Sequence, residues 1–394
     1  MEIFIHIGPH KTGTTTIQSG LWRNKAALHE AGVYLPQTGS DVKGAVAHHN
    51  LAWAVNKRKG KTKGRENLLD NLATELHSAL HFQKAILSSE EFCILAPSEI
   101  FRIKQCLRGY EVRVVVYLRR QDKLLQSIWS QLIKNPKNLY HKSFGQFIKK
   151  FSSEIHPINY QRMINNWAGV FGKENMILNV MEKGSLKGHL FHDFLSLCGL
   201  KNPAHYEIPK DLNQSPDLKT VSLFYHFKRN WKGGRDPKMM AFLFSCVNEL
   251  ARLQEWDKTA MNLIGKGRYQ QIMHLYADSN SEIARTYFGR EQLFLEPFQT
   301  RPMIRMGRDN LSFDEWRYLI TRTPMRYLLR KNEIQELISL QNNERYARLM
   351  RIVSNTENPL RNWQKHLTIF LFKVTNIFQK NKIKYNSDSM RRLG

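Results

Sequence analysis

The chain is predicted to fold as an α/β protein with a central parallel sheet covered by helices on both faces. Three observations carry that prediction. Short apolar runs recur at residues 3–7, 85–88, 112–118 and 176–180, long enough for buried strands and too short for helices. The stretches between them place apolar residues at helical spacing, the alternation of a βαβ protein. The first run also stops at Gly8 and passes through a small-residue turn into a helical pattern. A turn between a strand and a helix N-terminus is a ready anion site.

That opening reads MEIFIHIGPHKTGTTTIQ. From Ile17 the pattern is helical, with Ile17, Leu21 and Leu28 sharing a face that Trp22 borders. The turn supplies Gly8, His10, Lys11, Thr12, Gly13, Thr14 and Thr15. Free N–H groups and the positive end of a helix dipole would converge there with one lysine. The nucleotide triphosphatase signature GxxxxGK[ST] is not met, because His10 rather than glycine precedes the lysine.

Residues 32–36 read as a short extended piece, and His48 and His49 open a helix running through Trp53. Two adjacent histidines could be half of a metal site, but neighbouring positions diverge on a helix and no third ligand is spaced to join them. The run KRKGKTKGR at 57–65 reads as a solvated basic loop rather than a dedicated anion site. Residues 68–80 form a helix with Leu68, Leu69, Leu72, Leu76 and Leu80 on one side. The strand that follows ends in Ser88, Ser89 and Glu90, and the carboxyl ends of strands line the ligand crevice of an open α/β sheet. Glu90 is therefore placed for proton chemistry, or else it is a surface or capping acid.

Residues 112–118 (VRVVVYL) make the strongest strand, and Arg119-Arg120-Gln121-Asp122 follow it directly. A helix comes next, with Leu124, Leu125, Ile128, Leu132 and Ile133 apolar and Ser127 among them. Residues 160–171 read as a helix closed by Gly172, 176–180 as a strand, and 190–197 as a helix ending at Gly199. Asn213-Gln214-Ser215 falls in a polar loop. A basic glycine turn at 263–269 carries Lys266 and Arg268 and leads into a helix around 272–287.

On these residues the chain resembles the sulfotransferases that use 3′-phosphoadenosine 5′-phosphosulfate (PAPS), in particular bacterial ones whose chains open with a strand and a HIGxHKTGTT-type loop. The Ser-Ser-Glu strand end and the YLRRQDxxxxS arrangement are similar to that family too, as is the run 279–285. The likeness spans residues 1 to about 295. It implies a P-loop-like fold in which Gly8, His10, Lys11, Thr12, Gly13, Thr14 and Thr15 cradle the 5′-phosphosulfate. Arg119 and Ser127 would hold the 3′-phosphate, and Lys266 with Arg268 would close over it. Lys11 would neutralise the 5′-phosphate as it leaves, and Glu90 would accept the acceptor's proton, with His48 or His49 as substitutes. No metal is required in such a transfer. The implied acceptor is a hydroxyl or amine of a bacterial surface carbohydrate or its lipid-linked precursor. A P-loop kinase-like enzyme would want a magnesium-binding aspartate after a later strand, where this chain has Arg119-Arg120.

The balance of 60 Lys+Arg against 34 Asp+Glu gives a formal charge of +26 and an isoelectric point near 9.9. Such a field favours polyanionic partners, so a non-enzymatic basic module binding nucleic acid or membrane is the second rival; the resemblance implies no specific nucleic acid. Cys93, Cys106, Cys198 and Cys246 show no CxxC spacing, which fits a reducing compartment. No uncharged apolar run reaches the roughly 18 residues of a membrane span, and the chain opens directly in a strand, so a cytoplasmic protein is expected, peripheral on the inner face of the membrane at most. The expected division is a catalytic domain over 1–300 and a basic helical extension over 301–394. Residues 321–394 hold 15 Lys+Arg against 5 Asp+Glu. There Trp363, Leu367, Phe370, Leu371, Val374, Ile377 and Phe378 share one helical face. That face suits an anionic membrane surface or packing on protein; residues 380–394 are expected to be disordered.

Overall fold

The computed structural model describes residues 1–40, 44–56, 64–138, 140–154, 158–209, 217–230, 237–256, 261–304 and 312–322, with a few single positions up to 348. The basic run at 57–63, the loop at 213–215 and the apolar stretch at 363–378 lie outside them.

The chain opens with β1 (Glu2–His6), α1 (Thr14–Arg23), α2 (Lys25–Glu30) and β2 (Val33–Tyr34). Helix α1 begins three residues before the expected Ile17, and the single helix expected there is two. The break falls at Asn24, whose side-chain amide donates back to the Gly20 carbonyl at 2.9 Å, the local competition that makes asparagine a poor helix-interior residue. Next come α3 (His49–Val55), α4 (Leu68–Ser78), β3 (Lys84–Ser88), α5 (Pro97–Cys106), β4 (Glu111–Leu118) and α6 (Gln121–Lys134). Because α4 stops at Ser78, Leu80 is 49% exposed instead of joining Leu72 and Leu76 in the core. Then follow α7 (Phe144–Glu154), α8 (Tyr160–Phe171), β5 (Met176–Val180), α9 (Leu190–Leu197), α10 (Leu218–Asn230), α11 (Pro237–Leu253), α12 (Lys266–Leu275), α13 (Ala277–Ile283) and α14 (Phe313–Arg322). The glycine turn at 263–269 is largely helix, since α12 already starts at Lys266.

Five parallel strands form one sheet in the order β2-β3-β1-β4-β5. This is the predicted fold class. Ile3, Ile5, Val114, Val116 and Leu118 are all 0% exposed, as in a sheet covered on both faces. Phe4, Ile86, Val115 and Tyr117 point to one face and meet Ile17, Leu21, Phe191 and Phe194 of α1 and α9.

The chain divides into two compact units. One holds Met1–Ser130, Lys142–Ser215 and Ile264–Arg301, and therefore the whole sheet. The other takes in Gln131–His141 and Pro216–Leu263 as well as 302 onward. Within it Phe224 stacks on Phe244 at 3.9 Å, and Glu315 of α14 pairs with Lys219 of α10 and accepts from the Trp256 indole. Buried Lys228 donates to the Leu132 and Asn135 carbonyls and to Asn138 at 2.7–3.0 Å. No helix among the described residues is long and apolar enough to cross a membrane.

Candidate active site at the carboxyl edge of the sheet

Strand β1 is central. The chain leaves it toward β2 on one side and leaves β3 and β4 toward the other, so a crevice opens at the carboxyl ends of these strands. The loop after β1, Glu90 after β3 and Arg119 after β4 lie along that edge.

The loop after β1 turns through three left-handed residues, Gly8 (φ 80°), Lys11 (φ 69°) and Gly13 (φ 77°). A non-glycine residue in that region is strained, and such strain gathers at functional sites. Thr12, fully buried, braces the loop by donating to the Pro9 carbonyl at 2.6 Å. Its hydroxyl is thus spent on the turn. A Cβ on Gly8 would stand 2.8 Å from Glu90 Cα, and one on Gly13 would stand 2.1 Å from Leu190 Cδ2. The two glycines thereby let the loop lie against the end of β3 and the start of α9. Helix α1 opens at Gly13 with no side-chain cap, so its first turn offers N–H groups and the positive end of its dipole. Thr14 is nearly buried beneath that turn and Thr15 is exposed.

Arg119 is the first residue beyond β4, and its guanidinium donates to the Lys11 carbonyl at 3.0 Å. This bond is what brings the two sequence motifs to one place. Tyr160 braces Arg119 by donating to its carbonyl at 2.6 Å. Burial pushes the guanidinium below its ordinary value, with Tyr160 and Asp122 opposing, yet arginine stays charged. Arg120 is committed elsewhere, forked onto Asp122 at 2.7 and 3.2 Å and donating to the Glu296 carbonyl at 2.6 Å. Ser127 sits half-buried in the second turn of α6. Lys266 and Arg268 are exposed in the first turn of α12. Tyr269 of the same turn lies 5.0 Å from the Arg120 guanidinium, which places this turn beside the end of β4.

Glu90 begins a 3₁₀ turn, Glu90–Ile94, directly after β3. Gln18 of α1 donates to its Oε2 at 2.9 Å, and His49 Nε2 lies 3.8 Å from the same oxygen. Burial pushes Glu90 up, but His49, the Gln18 amide, its own backbone N–H and His10 together outweigh it and hold the carboxyl below its ordinary value. It is ionised at neutral pH. His49 Nδ1 is in turn fixed by the Ser89 hydroxyl at 2.8 Å.

His48 does not join this group. Its Nε2 must donate to the Pro36 carbonyl at 3.0 Å, its Nδ1 accepts from Ser88 N–H at 3.1 Å, and its own N–H donates to the Ser88 carbonyl at 2.7 Å. Burial holds it neutral, with its pKa pushed down to about 4. It is a strut between β3 and the segment after β2, so it is withdrawn as a substitute base while His49 stays beside Glu90.

Three contributors were missed from sequence. Gln18 betrays itself only as a polar residue between Ile17 and Leu21 on a buried face, and Tyr160 by nothing local. His6, in a strand of otherwise apolar residues, is fully buried, with its Nδ1 against the Ser88 hydroxyl at 2.9 Å.

No known family's sequence profile matches the chain. A protein of Archaeoglobus fulgidus described as uncharacterized is 26% identical over 215 residues, which is 53% of this chain and 55% of that protein. The chain thus spans about half the length of the curated relative it matches. Among solved structures, a sulfotransferase from Alicyclobacillus acidocaldarius is similar at 16% identity, over 57% of this chain and 91% of that one, with a TM-score of 0.32.

Proposed function

We propose that the protein is a sulfotransferase that takes a sulfuryl group from PAPS and passes it to a hydroxyl or amine. The observation that carries this reading is the bond from the Arg119 guanidinium to the Lys11 backbone carbonyl, which holds Arg119 against the loop leading into the uncapped start of α1, with Glu90 against Gly8 of the same loop. The donor set suits a molecule with anionic groups at two ends. Lys11, the loop N–H groups and the Thr14 and Thr15 hydroxyls would hold the 5′-phosphosulfate. Arg119 and Ser127 would hold the 3′-phosphate, with Lys266 and Arg268 closing from α12. When bound, PAPS supplies an activated sulfuryl group on a phosphate leaving group.

The chain's own part is positioning and electrostatics. Lys11 and the α1 dipole stabilise negative charge at the cradle. Glu90 accepts the acceptor's proton at its carboxylate, and His49 beside it stabilises the charge before transfer. A magnesium-dependent kinase reading is less well served, because Asp122, the acid nearest the end of β4, is locked onto Arg120.

A bacterial surface carbohydrate or its precursor is the acceptor we propose, supported by the sequence resemblance, and the protein would work in the cytoplasm. The net basic charge of residues 321–394 supports peripheral contact with an anionic membrane surface.

Calorimetric titration with adenosine 3′,5′-bisphosphate and with AMP tests the reading without the acceptor. The bisphosphate is expected to bind at least about tenfold more tightly, the worth of one charged hydrogen bond. Equal affinities, or no binding of either, would overturn it.

A further inference from the structure

Gln18 is 4% exposed and flanked on its helix by Ile17 and Leu21, both 0% exposed. A leucine or methionine would fill that volume without desolvating an amide, and an amide buried without partners is costly. The amide is not without partners. Its Nε2 donates to Glu90 Oε2 at 2.9 Å and to the Ser88 hydroxyl at 3.4 Å. Its orientation is settled by these bonds, since the flipped amide would set its carbonyl oxygen against the carboxylate.

The support beneath Gln18 is itself fixed. Ser88 is held through its hydroxyl by His6 and through its backbone N–H and carbonyl by His48. A buried chain of polar contacts therefore runs from His6 on β1 through Ser88 on β3 and Gln18 on α1 to Glu90. Gln18 also stands four residues after Thr14, on the same side of the helix one turn on. The helix whose first turn faces the anion cradle thus grips the carboxylate with its second.

We propose that Gln18 is a positioning residue for Glu90, a role that rests on the sulfuryl-transfer reading: it fixes the angle of the carboxylate relative to the cradle. It acts through Glu90 and touches neither donor nor acceptor. Helix α1 then carries both the first-turn N–H groups of the phosphate site and the grip on the base.

The groups that face Glu90 are Gln18 from α1, His49 from α3, His10 from the loop after β1 and the residue's own backbone N–H. Gln18→Met removes one of these and keeps the volume. The first measurement is the titration of the Glu90 carboxyl by carbon-13 NMR in the full-length protein, assigned by its loss in Glu90→Gln. In Gln18→Met the midpoint should rise by about one pH unit, the effect of one lost charged hydrogen bond, while bisphosphate affinity stays within about threefold. The second is a double-mutant cycle on release of adenosine bisphosphate from PAPS. Gln18→Met should slow release about tenfold in the native background and leave it within about twofold in Glu90→Gln.

An unmoved midpoint would overturn the proposal. A fall in bisphosphate affinity matching the fall in turnover would overturn it too, since Gln18 would then belong to the donor cradle. If the native protein binds no bisphosphate, the sulfuryl-transfer reading fails, while the Glu90 midpoint still decides whether Gln18 grips the carboxylate.

Discussion

Glu90→Gln should cut turnover by about 10² to 10⁴, the usual worth of a positioned general base, and leave bisphosphate affinity nearly unchanged. The substitution keeps the size of the side chain and its place against Gly8, so the cradle is undisturbed. It removes the charge that meets the acceptor's proton. Glu90 is held below its ordinary value of 4.5, so activity should persist as pH falls and be lost only through an acid limb below that value. Survival of turnover in Glu90→Gln, together with its loss in His49→Gln, would move the role to His49. His48 is no rival, because both of its ring nitrogens are engaged by backbone groups.

Arg119→Ala should weaken the bisphosphate by about 1.5–3 kcal/mol, or roughly 10- to 150-fold, and change AMP far less. The comparison matters because Arg119 would have two tasks under the proposed reading. It faces the crevice from the end of β4, and it also donates to the Lys11 carbonyl at 3.0 Å. Loss of the second task loosens the cradle for both nucleotides; loss of the first affects only the one with a 3′-phosphate. Equal weakening of both in calorimetry would mean that Arg119 supports the loop and does not contact the 3′-phosphate. Arg119→Lys should recover little, since a lysine ammonium lacks the planar fork.

The sheet was legible because its strands are buried on both faces, and residues such as Val114, Val115 and Val116 then have to be apolar in succession. The turn after β1 was legible because its demands are local: glycines where the backbone turns left-handed, and a helix start directly after. What joined the cradle to Arg119 was not legible, since a bond from a guanidinium to a carbonyl 108 positions away leaves no pattern in spacing. His48 and His49 illustrate the same limit. Adjacent in sequence and alike in chemistry, they diverge because one faces the backbone of Ser88 and Pro36 while the other faces Glu90. The second unit was illegible for a different reason, being assembled from three separated stretches of chain, so no composition shift marks its edge. Asn24 and Leu80 show that helix ends depend on single side-chain choices that periodicity averages away.

His6 and His48 brace the base of the crevice as neutral groups, and that makes acid their natural antagonist. Each is held near pKa 4 by burial against an ordinary value of 6.5, so each takes up a proton on unfolding at pH 5 that it lacks when folded. The sign follows by linkage: their support is complete above pH 6.5 and drains away as pH falls toward 4, by up to about 1.4 kcal/mol per pH unit for each group. Urea midpoints should therefore be flat above neutrality and decline through this window before the carboxylates add their share. His226 in the other unit is also held near 4, so the diagnostic result is a shallower decline in His6→Gln. Acid therefore presses on the crevice from beneath β1 and β3, through His6 and His48, as well as through the Glu90 carboxylate.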